Sequence, residues 1–154
     1  MYSWRRQWPG AQWELGAVGN AEWTGVPLSV LLESAGLADD VCEIVLEGAD
    51  RGIPKEEPKP PGSISYARSI PRARAMQPDV LIAYQMNGQD LTSDHGYPLR
   101  AIVPGYYGMS SVKWLIDIFA VTQSRSRSKV TGKRPTTATG MILKAHLCAG
   151  RCRK

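Results

Sequence analysis

Apolar positions along the chain fall in short blocks separated by turn residues. Val41–Leu46 and Val80–Met86 are runs of strand length, rich in branched side chains, and predict two buried strands. The second is followed by Asn87-Gly88, the dipeptide favoured in two-residue hairpins. Leu99–Val103 and Val112–Val121 predict further strands, and Ile64–Ile70 a weaker one. One helical spacing stands out. Leu28, Leu31 and Leu32 share a face behind Pro27, and Gly36 stops the run, which predicts a helix over Pro27–Ala35. Pro71–Met76 predicts a short helical turn, and Asp50–Gly62, dense in Pro, Lys and Glu, a solvated loop. Short strands with one clear helix and many turns predict an α+β domain built on mixed sheets, not a doubly wound sheet. No internal repeat is present.

Charge is segregated along the 154 residues. Residues 1–123 carry 10 Lys and Arg against 14 Asp and Glu, a net −4, whereas residues 124–154 carry nine cations and no acid. The basic pI near 9.3 therefore belongs to the tail. Two segments follow: 1–123 as a folded, incomplete domain, and 124–154 as a basic low-complexity tail, read as disordered or as sequence translated out of frame. No run of about 18 apolar residues predicts a membrane span, and the first residues lack the apolar stretch of a signal peptide. Cys42 lies in a strand-like run, and Cys148 and Cys152 lie in the tail, so the cysteines form no disulfide framework. His146 with Cys148 and Cys152 supplies three possible metal ligands without a fourth, a weak zinc pattern.

The densest chemistry lies between Asp94 and Trp114. His95, Arg100 and Lys113 are all candidate anion ligands: Arg a rigid fork, Lys a point charge, His a donor to an oxyanion or ring heteroatom. Gly96, Gly105 and Gly108 permit close backbone approach to a ligand, and Ser110 and Ser111 add hydroxyls and amides. This equipment suits a phosphorylated cofactor. It is equally compatible with a turn-rich connection holding an incidental ion pair.

Several blocks, in order, resemble the sulfite oxidase family of molybdopterin-dependent oxidoreductases. They are Gly16–Leu28, the Glu47-Gly48-Ala49-Asp50 strand end, Tyr66–Pro71, Leu81–Gly88, and the long Asp94–Trp114 signature, covering about Pro9 to Val121. The resemblance implies a molybdenum-molybdopterin cofactor, contacted by Asp50, His95, Arg100, Ser111, Val112 and Lys113. It implies a place for Trp13 in a substrate pocket for a small oxyanion. It further implies two-electron oxygen-atom transfer, sulfite to sulfate or a related oxyanion or sulfoxide reaction, an electron acceptor such as a cytochrome or haem domain, and homodimers formed through a domain this chain lacks. Exported members are common in the family, and the sequence itself does not fix a compartment.

The metal-ligating cysteine of that family is expected upstream of Met1. Leu147-Cys148-Ala149-Gly150 superficially resembles its motif but follows the Asp94–Trp114 block instead of preceding it. The expectation is therefore a fragment of a molybdenum enzyme, inactive alone. The alternatives are a non-catalytic remnant lacking the metal ligand, or a nucleic-acid binder working through the basic tail.

Overall fold

A computed structural model describes residues 19–53 and 61–122, and the backbone of Ile142–Leu143. Trp13, Cys148, Cys152 and His146 lie outside the described residues. Two sheets carry the fold, and every strand pairing described is antiparallel. In the first, β1 (Trp23–Pro27), β4 (Leu81–Met86) and β5 (Gln89–Asp90) lie in that order, with β6 (Arg100–Ile102) also paired to β4. In the second, the order is β3 (Ile64–Pro71), β2 (Glu43–Gly52), β7 (Leu115–Val121), β8 (Ile142–Leu143). Two short helices, α1 (Leu28–Ser34) and α2 (Arg72–Ala75), complete the α+β arrangement.

The local chemistry explains most of these elements. Pro27 precedes α1 with φ −55°, and the helix ends before Gly36, whose φ is +72°, a backbone conformation glycine adopts without steric cost. Leu28 and Leu32 are fully buried. Asn87 and Gly88 have φ of 53° and 73° and link Met86 to its partner Gln89, a two-residue turn with both central residues left-handed. Leu28, Leu32, Ile44, Leu46, Ile70, Val80 and Val112 belong to one core cluster drawn from both sheets and α1.

Three expectations change. β1 was not expected; its Gly25 sits so close to β4 that an added Cβ would collide with the Ile82 carbonyl oxygen and lie 2.7 Å from Ala83 Cα. This is a bulge where glycine permits close approach. β2 runs on to Gly52, so Asp50 lies on a strand instead of opening the loop. The strand expected from Val112 begins at Leu115, because Trp114 has φ +50° and breaks the extended run. The backbone of Ile142 and Leu143 pairs with Phe119 and Ile118 at the edge of β7.

The two sheets meet along one seam. Ala101 N donates to Val112 O at 2.8 Å, and Leu115 N to Leu99 O at 2.9 Å. The residues around β6 are thus bonded both to β4 and to the segment leading into β7. Ile44 is fully buried near the start of β2 and Ile116 is 45% exposed on β7. Ile44→Ala is expected to cost about 2–5 kcal/mol and Ile116→Ala no more than about 0.5 kcal/mol, read from urea unfolding; equal losses would contradict this core assignment.

Candidate functional site

A single excursion of chain builds the candidate site. After β5 a 3-10 turn covers Ser93–His95 and ends at Gly96 with φ +101°. The cis peptide Tyr97–Pro98 then leads into β6. A second 3-10 turn, Gly108–Ser110, precedes the segment Ser111–Trp114. The two ends of the excursion lie against each other: a Cβ on Gly96 would sit 2.9 Å from Lys113 Cβ and 3.2 Å from Arg100 Cβ. Glycine is required there both for its backbone angle and for lack of space.

The cations of this excursion are held by carbonyl oxygens. Arg100 Nη1 donates to His95 O at 3.1 Å and Nη2 to Ser111 O at 3.4 Å, while the guanidinium stacks over Trp23 at 4.7 Å. Arg100 Nε is buried and has no partner. Burial pushes the Arg100 pKa down from its ordinary value, because desolvation disfavours the charged form. Lys113 Nζ donates to Asp94 O at 2.8 Å and lies 4.5 Å from the centre of the Trp114 ring. Trp114 Nε1 in turn donates to Ser93 O at 2.8 Å. Among the described residues, the ion pairs are Arg72–Asp39 and Arg74–Asp79, so no carboxylate neutralises Arg100 or Lys113.

The remaining expected residues take distinct positions. His95 is exposed, and its Nδ1 lies 2.8 Å from Thr92 Oγ1, which leaves Nε2 as the ring nitrogen open to a ligand. Ser111 Oγ accepts from Val103 N at 3.1 Å, so this hydroxyl shapes the loop. The Val112 side chain is in the core and its carbonyl is taken by Ala101 N, which leaves only its N–H for any ligand. Asp50 is exposed beyond a register shift in β2. A Cβ on Gly48 would lie 2.9 Å from Asp50 Oδ1, 2.7 Å from Lys113 O and 3.1 Å from Val112 Cγ1. The structure therefore brings Asp50, Val112 and Lys113 around one glycine, across more than sixty residues of chain.

Trp23, Gly48, Thr92 and Trp114 are the supporting residues that sequence reasoning missed. Trp114 alone carried a local signal, an aromatic adjacent to Lys113. The stack of Trp23 on Arg100 joins residues far apart in sequence and has none. Cys42 stands at the opposite end of β2 from Asp50, about 26 Å away at strand rise, with its thiol against Thr122 O and Asp40 O. Among the described residues no group of three or more His, Cys, Asp or Glu could hold a metal ion, and no helix is long and apolar enough to cross a membrane.

Two uncompensated cations, a partnerless buried Arg nitrogen and glycine-permitted backbone approach form a donor set suited to an anionic, phosphorylated ligand. A family profile described as "Oxidoreductase molybdopterin binding domain" matches residues 2–129. The chain belongs to this family. Mitochondrial sulfite oxidase of Drosophila melanogaster is 44% identical over 112 residues, covering 71% of this chain and 18% of that protein. The human enzyme is 43% identical over 110 residues, 69% of this chain and 19% of the relative. Nitrate reductase (NADH) of Petunia hybrida is 42% identical over 123 residues, 77% of this chain and 13% of the relative. Among solved structures, the sulfane dehydrogenase SoxCD from Paracoccus pantotrophus matches with TM-score 0.61 and 37% identity, over 76% of this chain and 28% of that one. The domain's fold is thus of the sulfite oxidase type and its cofactor class is molybdenum-molybdopterin. The chain spans less than a third of each of these relatives.

Gly96 and Gly105 separate two effects. Both have positive φ, but a Cβ at Gly105 would meet nothing within 4 Å. Gly105→Ala should cost about 1–2 kcal/mol from backbone strain alone, and Gly96→Ala distinctly more, as Lys113 must move. Urea midpoints of the two variants check this; equal midpoints would mean that the Gly96–Lys113 contact is slack.

Proposed function

We propose that residues 1–123 form part of the cofactor site of a sulfite oxidase-type molybdenum oxidoreductase, with a boundary near Gln123 before the basic tail. The observation that carries the reading is Arg100: a half-buried guanidinium, stacked on Trp23, with Nε unpartnered and, among the described residues, no carboxylate paired with it. Leaving a cation desolvated without an anion is costly. A bound phosphate group restores what burial removes.

In this reading Arg100 and Lys113 take the cofactor's negative charge, the first as a planar fork and the second as a point charge. Carbonyls of Asp94, His95 and Ser111 hold these two side chains in place and leave their charge for the ligand. His95 presents Nε2 to the pterin, with its ring set by Thr92. The backbone N–H of Val112 and the carboxylate of Asp50 supply polar contacts on the Gly48 side. Trp13 lines the pocket for the substrate. When bound, molybdenum-molybdopterin supplies two-electron oxygen-atom transfer; the chain's residues orient it and hold the oxyanion charge. The substrate is a small oxyanion or sulfoxide, of which sulfite is the first to test because the sulfite oxidases are 44% and 43% identical to this chain. A cytochrome or haem domain takes the electrons. The metal's thiolate is not Cys42, which is occupied at the far end of β2.

Produced in cells that make molybdopterin, the full chain is expected to co-purify with the pterin, read by fluorescence after oxidation and by molybdenum analysis. Arg100→Met and Lys113→Met should each lower pterin content about tenfold or more, since a hydrogen bond to a charged group is worth about 1.5–3 kcal/mol. Wild-type chain free of pterin under these conditions would overturn the proposal.

A further inference from the structure

Among the described residues, two buried side-chain nitrogens have no hydrogen-bond partner: Nε of Arg100 and Nε of Arg68. The first belongs to the site above. Arg68 lies on β3, opposite Leu46 of β2, and Leu46 is in turn opposite Ile118 of β7. Residues opposite one another in antiparallel strands project from the same face. Leu46 and Ile118 are core residues, so Arg68 projects from the core-facing side of the second sheet.

A cation in that position needs an acceptor, and the described residues supply almost none. Arg68 Nη1 reaches the carbonyl of its own neighbour Ala67 at 3.4 Å, and Nη2 reaches Met109 Sδ at 4.0 Å, a weak acceptor. The guanidinium lies over the Tyr66 ring at 4.7 Å. No carboxylate among the described residues forms an ion pair with it. This side chain also flanks the turn that carries the cofactor-site segment. Tyr66 OH donates to Met109 O at 2.7 Å, and Ser111, two residues on, gives its carbonyl to Arg100. One turn is therefore gripped at Met109 by β3 and at Ser111 by Arg100, and each grip includes an arginine with an unused donor.

We propose that Arg68 is a second oxyanion-binding residue, taking a tetrahedral phosphate- or sulfate-type group beside the Met109–Ser111 turn. Its planar fork matches two oxygens of such a group, and the Tyr66 ring holds the plane. The proposal builds on the reading of this face as an anion site. The group is either the phosphate of the bound cofactor or a free oxyanion of the substrate class.

The test titrates inorganic phosphate and sulfate into the full, cofactor-free chain by calorimetry, with Arg68→Gln, Arg68→Lys and Arg72→Gln. Arg72 is already paired with Asp39, so its variant removes one positive charge without removing the fork. Arg68→Gln is expected to weaken binding of at least one anion about tenfold or more, Arg68→Lys less, and Arg72→Gln little. Far-UV circular dichroism checks folding; should Arg68→Gln not fold, the loss in Arg68→Lys relative to Arg72→Gln carries the test. Pterin content then separates the sources. A fall in Arg68→Gln assigns the group to the cofactor phosphate, whereas unchanged pterin with lost sulfate binding assigns it to a free oxyanion. Arg68-dependent phosphate binding by a wild-type chain that never holds pterin would sink the pterin reading and sustain this one. Equal affinities in wild type and the Arg68 variants, or no binding of either anion by wild type, would overturn it.

Discussion

The site rests on the crossing of two short segments, His95–Ala101 and Ser111–Leu115. Two backbone hydrogen bonds, Ala101 N to Val112 O and Leu115 N to Leu99 O, join them. Gly96 fits against Lys113 only because it lacks a side chain. Buried backbone groups must be paired, so this crossing is both the seam between the sheets and the frame of the candidate site. A residue that disturbs it disturbs the fold and the candidate site together.

Around that frame the polypeptide separates holding from binding. Trp114, in a left-handed conformation rare for an aromatic residue, ends the extended run early and turns its indole N–H onto Ser93. The same residue provides the ring beneath Lys113. Trp23, at the start of β1, does the equivalent for Arg100. Two tryptophans thus position two cations from opposite ends of the described chain. Unusual backbone at a ligand site is commonly maintained by well-packed surroundings, and Val112 and Leu115, both buried, bracket Trp114.

Sequence reasoning reached the elements whose causes are local. The α1 helix follows from Leu28 and Leu32 on one face with Pro27 and Gly36 at its ends, and the β4–β5 hairpin from Asn87-Gly88. It missed β1, because Trp23–Pro27 carries Gly25 and Pro27, residues that depress strand propensity; there, close pairing with β4 decides. It opened a loop at Asp50 where pairing with β3 keeps β2 extended through Arg51 and Gly52. At the site, His95, Arg100 and Lys113 were legible as candidate anion ligands near glycines, and family resemblance added Asp50. The clustering of Asp50 with Lys113 around Gly48 was not legible, since it depends on a register shift in β2. Nor was Arg68, which reads in sequence as an ordinary strand charge.

Among the described residues, amide carbonyls and no carboxylates secure the side chains of Arg100 and Lys113. An amide oxygen neither gains nor loses a proton in any ordinary aqueous medium. The anchoring of both cations is therefore indifferent to acidity: protonation cannot release them as it would release a salt bridge. Any change of cofactor grip with pH must arise outside these anchoring bonds, while the scaffold beneath stays the same.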